Sequence, residues 1–433
     1  MSIEKSLALQ ARAAKIIPGM NQLRSKRPDM FSRGVWPAYG AEAQGSHVCD
    51  LDGNEYIDFS LGGIGATVLG CADPDVDNVI HNVIATGSAS SFNPPEEVYL
   101  AEKLVSLHPW AEMVRFARSG GEAMAMAVRI IRAATGKSKV VFCGYHGWMD
   151  WYIAANLGGT DALGGHLIGG LSTAGVPKER KGTSLPFRFN DIESFRKAIA
   201  EAGDDLAGVV MEPKRNFDPE PEFMEEVHST VKRLGVPLVI DEISAGFRIS
   251  IGGSHKVFGW QPDVAVFAKA LGNGYPISAV IGKGKFMQAA QESFISSTNW
   301  TERIGPAAGL AVIDKYERCN VHEHLCAIGD RIQSGWIRLE EKHHLGIHIS
   351  GLLPMLHFTF GEDPLVNRAF FTQEMLKRGF MAGMTAYAMY AHTFDEVDAY
   401  IEAVDEVWGE IARGGVADRL EGKPAVSGFA RIN

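Results

Sequence analysis

The chain has 433 residues, of which 46% are hydrophobic and 22% charged, and its formal net charge is −10. Such a length accommodates one large domain with a smaller one, and the composition is that of an ordinary globular protein. The negative charge argues against nucleic acid or an anionic membrane surface as the main partner. Five dispersed cysteines, with no close pair at metal-ligand spacing, favour a reducing, cytoplasmic location.

The N-terminal region predicts a helix followed by a hairpin. Charged residues interrupt the apolar positions of residues 1–19, which favours an amphipathic helix over a signal peptide. Within residues 45–59, Asp52 and Gly53 form a hairpin-turn signal between two strand-like runs. No apolar stretch of the sequence approaches the length of a membrane span, so we expect no membrane partner.

The centre of the chain alternates β-branched runs with amphipathic helical patterns, which predicts a mainly parallel α/β sheet. The predicted strands cover residues 139–143, 207–211, 237–240, 264–267 and 277–281. The predicted helices between them cover residues 123–134, 192–202 and 223–234. A long helical pattern, a β-rich piece at residues 346–360 and a last helix at residues 394–412 then follow.

Segments outside the α/β pattern lie at both ends of the chain, and we expect them to pack together as one smaller α+β domain. The predicted divisions are residues 1–65, which join the small domain, residues 66–320, the large α/β domain, and residues 321–433, the C-terminal α+β part.

Lys269 stands where an apolar run typical of a buried strand enters a bend rich in glycine and proline, within residues 262–276. A lysine at a dry strand end loses hydration of its ammonium, so its pKa falls and the free amine becomes able to attack a carbonyl carbon. The alternative is an ordinary surface lysine at a strand exit. The segments upstream decide between the two.

A Ser-Gly-Gly turn, Ser119 to Gly121, opens directly into a strong helical pattern. Free N–H groups at a helix start form an anion site, and glycines allow a close approach, so phosphate is the natural guest. The alternative is a plain N-cap without a ligand.

Two further strand ends carry side chains suited to a planar ring. Tyr145 and His146 follow the strand at residues 139–143 and offer a flat face to a heteroaromatic ring, or alternatively pack at a loop. Asp241 follows an apolar strand, where a carboxylate can pair with a protonated ring nitrogen or simply cap a helix. A phosphate site, a ring face, an acid and a lysine are together the parts needed to hold pyridoxal phosphate.

The chain resembles the class III (omega-type) pyridoxal-phosphate aminotransferases, and within them the branch of glutamate-1-semialdehyde 2,1-aminomutase. The resemblance runs from about residue 17 almost to the C-terminus. Its most specific motifs are residues 241–248 and 262–274, and residues 144–147, 175–178 and 211–213 also match. The resemblance implies fold type I: a large domain with a mainly parallel sheet, and a smaller α+β domain formed by both chain ends.

The resemblance also implies roles for individual residues. Lys269 would form the Schiff base with the cofactor and then move a proton, and Asp241 would hold the ring nitrogen. The remaining cofactor contacts would come from Ser119, Gly120, Gly121, Tyr145, His146, Glu212 and Ile243. Family members are homodimers with the active site at the subunit interface, where a threonine of the partner reaches the phosphate. That threonine would be Thr301, with Thr298 as the alternative.

The sequence departs from the family pattern at three places. Arg118 and Gly121 replace the Asn and Thr of the usual phosphate loop, so one hydroxyl donor is missing. The run from Thr301 to Pro306 replaces a glycine-rich segment. Arg24 is one residue out of place as the counterpart of the arginine that binds the substrate carboxylate in the aminomutase, and Trp36 would be a second pocket residue.

Three functions follow from these residues. The first is a ping-pong aminotransferase that moves an amino group from a small-molecule donor to a carbonyl acceptor, with Lys269 as acid and base in both halves. The second is the aminomutase, an isomerase, and the third a homologue that binds the cofactor without catalysis. No metal is expected, because the pairs His322 with His324 and His343 with His344 lack converging partners.

Overall fold

A computed structural model describes residues 2–159, 161–166, 168–214 and 216–428. The strands are β1 Gly40–Gln44, β2 His47–Asp50, β3 Glu55–Asp58, β4 Met113–Ala117, β5 Lys139–Cys143, β6 Ser184–Pro186, β7 Leu206–Met211, β8 Leu238–Asp241, β9 Val264–Phe267, β10 Ser278–Gly282, β11 His348–Leu352, β12 Met355–Thr359, β13 Phe380–Met381 and β14 Thr385–Tyr387. The helices are α1 Glu4–Ile16, α2 Gly62–Gly65, α3 Pro74–Thr86, α4 Pro95–Leu107, α5 Gly120–Thr135, α6 Asp150–Ile153, α7 Ile192–Ala202, α8 Pro221–Leu234, α9 His255–Phe258, α10 Gly284–Met287, α11 Ile304–Cys319, α12 Val321–His343, α13 Pro364–Lys377 and α14 Phe394–Ala412.

The chain divides into two compact units, one formed by residues 1–73 with 323–433 and the other by residues 74–322. The sequence placed these divisions at 65/66 and 320/321, a few residues earlier. The first unit thus contains both chain ends.

The central unit is built on a seven-stranded sheet with the order β4-β10-β9-β8-β7-β5-β6. β5, β6, β7, β8 and β9 pair in parallel, whereas β10 runs antiparallel to both β9 and β4. The predicted mainly parallel sheet is therefore confirmed. β4 and β6 extend it beyond the strands that the sequence predicted.

Helices cover both faces of this sheet. α5 buries apolar side chains such as Met124, Ile130 and Ile131 in one apolar cluster. α7 and α8 bury Phe195 and Phe223 in a second cluster with β7 and β8. Both faces of the strands are therefore apolar, as is typical of a parallel α/β sheet.

Capping signals fix where the helices of this unit begin. Ser119 caps α5 in a reciprocal capping box with Glu122, and the Asp191 side chain accepts from the backbone of Ser194 at the start of α7. Gly136 and Gly235 end α5 and α8 in the left-handed conformation that glycine adopts without strain.

The other unit contains two smaller sheets, β1-β2-β3-β13 and β11-β12-β14. The predicted hairpin is the antiparallel pair β2 and β3, and the predicted β-rich piece is the pair β11 and β12. α14 spans the predicted residues and begins with a capping box between Thr393 and Glu396. In the part of the chain that the structure describes, no helix has both the length and the apolar character needed to cross a membrane.

Candidate active site

Six strands of the seven-stranded sheet end at one edge, and five of them precede candidate site residues. β4, β5, β7, β8 and β9 all run in the same direction, because β4 and β9 both pair antiparallel with β10. Cys143 lies opposite Met211, which lies opposite Ile240. The carboxyl edge of such a sheet is where α/β proteins bind ligands. The predicted residues that directly follow or end these strands are Ser119, Gly120, Gly121, Tyr145, His146, Glu212, Asp241, Ile243 and Lys269.

Lys269 follows β9 and has a backbone φ of 48°, a strained conformation for a residue with a side chain. Its Nζ donates a hydrogen bond of 2.6 Å to Ser244 Oγ. Burial lowers the pKa of the Lys269 amine, and the charge of Arg248 lowers it further, against the opposing effect of Asp241 and Glu212. A buried amine with a lowered pKa is suited to nucleophilic and acid–base chemistry.

Asp241, the last residue of β8, is 4% exposed. Its Oδ2 accepts a hydrogen bond of 2.7 Å from His146 Nδ1, and its Oδ1 accepts one of 2.9 Å from the Ile243 backbone. His146 Nε2 faces the Cys143 carbonyl at 3.1 Å. Both ring nitrogens of His146 therefore face an oxygen of the chain, one from the Asp241 carboxylate and one from the Cys143 carbonyl. This pairing fixes the orientation of the carboxylate.

The turn after β5 is tied to the end of β7. The Tyr145 backbone donates to Glu212 Oε2 at 3.2 Å, and the Tyr145 ring meets Tyr152 edge-on, with centroids 5.8 Å apart. Gly144 has a φ of 122°, and a Cβ there would lie 2.5 Å from the Glu212 carboxylate. Glycine is therefore required at residue 144 for the turn to approach this carboxylate.

The start of α5 has two backbone donors that are not used by the protein. The Ser119 hydroxyl and N–H both donate to Glu122 Oε2, at 3.0 and 2.9 Å. Within the described ranges, the N–H groups of Gly120 and Gly121 donate no hydrogen bond. These two amides at the positive end of the helix are a fitting site for an anion.

Three glycines allow neighbouring segments to meet at this helix start. A Cβ on Gly120 would lie 2.9 Å from Ile243 Cδ1, and a Cβ on Gly147 would lie 3.2 Å from Gly121 Cα. Larger residues at 120 and 147 would push apart the turns that follow β4, β5 and β8. The predicted phosphate, ring-face and acid residues are thus brought together.

Arg118 connects the phosphate loop with the segment at residues 301–306, the two places where the sequence departs from the family pattern near this site. Its Nε pairs with Glu302 Oε1 at 2.7 Å, and its Nη2 donates to the Trp300 and Glu302 carbonyls at 2.9 and 3.0 Å. Glu302 in turn accepts from the backbone of Gly305 in the first turn of α11, at 3.0 Å. Arg118 therefore fixes the short helical turn Thr298–Thr301.

The predicted threonines lie on that turn. Thr301 is exposed, and its hydroxyl donates to the Thr298 carbonyl at 3.0 Å. The two predicted substrate residues, Arg24 and Trp36, belong to the other unit. Arg24 donates to the Gly428 carbonyl, whereas Trp36 is 3% exposed and stacks on Phe31 with centroids 3.8 Å apart.

Sequence reasoning gave no role to Ser244, Arg248 or Glu242, although all three lie in the motif at residues 241–248. Ser244 accepts the Lys269 hydrogen bond, and Arg248 lowers the pKa of that lysine. Glu242 is fully buried and accepts from His255 Nδ1 at 2.7 Å. The sequence signal that could have identified these three residues is the cluster of polar residues that follows the apolar part of β8.

The profile of the family described as "Aminotransferase class-III" matches residues 31–401. A 3-aminobutyryl-CoA aminotransferase of Cloacimonas acidaminovorans is 30% identical over 95% of this chain and 99% of its own. A glutamate-1-semialdehyde 2,1-aminomutase of Methanococcoides burtonii is 32% identical over 84% of this chain and 86% of its own. The FumI protein of Sphingopyxis sp. MTA144, solved in its PLP internal aldimine form, is 24% identical with a TM-score of 0.87, covering 98% of this chain and 99% of that one.

Proposed function

The chain belongs to the class III aminotransferases, enzymes that use pyridoxal phosphate, and we propose that Lys269 is the residue to which its cofactor is attached. One observation carries the proposal. The Lys269 amine has a pKa lowered by burial and lies at the edge where Asp241 and the two open amides of α5 also lie. A lowered pKa increases the fraction of the amine that is unprotonated, and the unprotonated amine is the form that attacks the cofactor aldehyde.

The residues at this edge fit the cofactor. The amides of Gly120 and Gly121 would hold its phosphate. Because residue 120 has no Cβ, Ile243 can pack directly against this helix start. Asp241, oriented by His146, would accept a hydrogen bond from the ring nitrogen and keep it protonated. Tyr145 and Ile243 would lie against the two faces of the ring.

When bound, pyridoxal phosphate withdraws electrons from the carbon that carries the substrate amino group. The protein residues then control one proton. Lys269 Nζ would take the proton from that carbon and return it at the cofactor carbon, as a single acid–base group for both directions. Ser244 Oγ, 2.6 Å from Nζ, would hold the amine in place between transfers. Arg248 keeps its pKa low, so that the unprotonated form is available.

We propose a reaction in two halves, in which the cofactor carries the amino group from one substrate to another. An amino donor would leave its amino group on the enzyme, and a carbonyl acceptor would collect it. The test is a screen of amino donors against the purified enzyme, following the absorbance change of the bound cofactor, with 3-aminobutyryl-CoA and β-amino acids among the donors. Conversion by a donor in the absence of acceptor supports the proposal. A cofactor that no donor converts would contradict it.

The aminomutase is the second candidate, because a relative with that activity is 32% identical over 84% of this chain. An aminomutase returns the amino group to the same molecule. Turnover of glutamate-1-semialdehyde without added donor or acceptor would identify it. The altered segments around Arg118 and Thr301 lead us to favour transfer between two different substrates.

We further propose a homodimer in which the exposed turn Thr298–Thr301 reaches the cofactor phosphate of the partner subunit, with Thr301 as the contacting residue. The Arg118–Glu302 ion pair supports this, because it holds the turn in one conformation. Binding of the substrate carboxylate by Arg24, near Trp36, stays a prediction. A cytoplasmic location is proposed from the five cysteines, all of which are free thiols.

A further inference from the structure

Trp148 lies directly beside the start of α5, at the end of the turn that carries Tyr145 and His146. Its side chain is 72% exposed. The indole Nε1 lies 3.4 Å, and Cδ1 3.5 Å, from the position that a Cβ on residue 121 would take. The N–H edge of the indole therefore faces the helix start.

The backbone next to this indole is held close to α5. Gly147 packs so closely on Gly121 that a Cβ on residue 147 would lie 3.2 Å from the Gly121 Cα. Trp148 follows directly, and its indole contacts the first turn of α5 at residue 121. An indole N–H is a donor only. In the part of the chain that the structure describes, no group accepts a hydrogen bond from it.

The same helix start lacks side-chain donors of its own. Residue 121 is glycine, and the Ser119 hydroxyl already donates to Glu122. The Arg118 guanidinium pairs with Glu302 and the carbonyls beside it. Among the described residues at this helix start, the two amides of Gly120 and Gly121 and the indole N–H of Trp148 are the donors that make no hydrogen bond to the chain.

We propose that the indole N–H of Trp148 donates a hydrogen bond to the phosphate of the cofactor, in the space that a larger residue at position 121 would fill. This inference rests on the function proposed above. A Cβ on residue 121 would be in van der Waals contact with the indole, so the indole N–H lies beside the place where a side chain at 121 would begin. A hydrogen bond to a charged oxygen is stronger than one between neutral groups, so its loss should weaken binding about ten- to one-hundredfold.

Calorimetric titration of the full-length apoenzyme tests the proposal with two probes, pyridoxamine 5′-phosphate and pyridoxamine. Neither probe forms a covalent bond to Lys269, and only the first has a phosphate. Trp148→Phe keeps an aromatic ring and removes the N–H. It should weaken binding of pyridoxamine phosphate about tenfold or more and leave binding of pyridoxamine unchanged. The double variant Gly121→Thr, Trp148→Ala replaces the indole by a hydroxyl donor and should recover most of the affinity.

The outcomes separate this inference from the proposed function. If wild-type enzyme prefers pyridoxamine phosphate and Trp148→Phe retains the full preference, Trp148 is not a phosphate donor. The same conclusion follows if Trp148→Phe weakens both probes equally, because the ring then acts by packing. If the wild type itself has no preference for the phosphorylated probe, the phosphate site at α5 is wrong, and the proposed function fails with it.

Discussion

The two ends of the candidate site differ in how they are built. At the acid end, Asp241 is buried and paired with His146, and the neighbouring Glu242 is buried and paired with His255. At the phosphate end, Ser119 and Trp148 are exposed, and within the described ranges the amides of Gly120 and Gly121 make no hydrogen bond.

The comparison separates polar groups whose hydrogen bonds are made by the chain itself from donors that only a ligand can satisfy. The two buried carboxylates of the acid end accept hydrogen bonds from other residues of the chain, as buried polar groups usually do. Donors at the phosphate end are left for an anion. Two of the three departures from the family pattern, at Arg118 with Gly121 and in the segment that contains Glu302, lie at this second end. We infer that the acid end keeps the residues that act on the cofactor ring. The phosphate end differs from the family pattern in the contacts around α5, which include the Arg118–Glu302 ion pair.

Removal of the lysine between the two ends should have the largest effect. Lys269→Ala removes both the attachment point and the proton-transfer group, so we expect transamination to fall by about 10²–10⁴-fold or more. Stopped-flow absorbance of a half-reaction measures this. Lys283→Ala is the matched control, because Lys283 follows β10 at the opposite edge of the sheet and pairs with Asp263 at 2.8 Å. Equal loss in both variants would contradict a specific role for Lys269.

The second-largest loss of activity is expected from a change at the acid end. Asp241→Asn removes the negative charge that would hold the ring nitrogen protonated, and we expect a loss of about 10²–10³-fold in the half-reaction. The hydrogen bond from the Ile243 backbone can be kept by the amide oxygen, so the fold should survive. Circular dichroism checks this point. Wild-type rates in a folded Asp241→Asn variant would show that this carboxylate is not part of the chemistry.

At the phosphate end, the Arg118–Glu302 pair should have a smaller and coupled effect. We expect Arg118→Gln and Glu302→Gln each to weaken binding of pyridoxamine phosphate several-fold, because either change releases the turn Thr298–Thr301. Contacting residues in one ion pair couple by about 0.5–3 kcal/mol. The double variant should therefore lose little more affinity than the worse single variant. Fully additive losses would mean that the pair does not act as a unit.

The smallest expected effect is on the stability of the apoprotein. The pKa of Lys269 is lower in the folded state than in the unfolded chain, so unfolding takes up a proton at pH values between the two. Stability should therefore rise with pH through that window and fall as pH decreases towards the folded pKa. Lys269→Met should flatten this dependence. Urea unfolding of wild type and variant between about pH 7 and 10 measures it, and parallel curves would show that the pKa is not shifted.

The sequence predicted the acid end and the lysine because their signals are local. β8 and β9 are continuous apolar runs, and Asp241 and Lys269 follow them directly in a long motif. β4 was missed because Arg115 interrupts its apolar run. The antiparallel direction of β10 was also not predicted, although the short connection from Phe267 to Ser278 leaves no room for a helical crossover.

Contacts between distant residues could not be predicted in the same way. Arg118 and Glu302 are far apart in the sequence, and neither periodicity nor propensity indicates that they pair. The Ser119 capping box was readable from the spacing of Ser119 and Glu122, yet its use of the hydroxyl became clear only from the geometry. The approach of Trp148 to Gly121 likewise depends on the register of two separate turns.

The central claim is that Lys269 holds the cofactor, and chemical mapping tests it most directly. Borohydride reduction of the pyridoxal-phosphate-loaded enzyme, followed by proteolysis and mass spectrometry, locates the lysine that carries the phosphopyridoxyl group. We predict a single modified peptide containing Lys269, and its absence in Lys269→Ala. Modification of another lysine in the wild type, with Lys269 unmodified, would contradict the account.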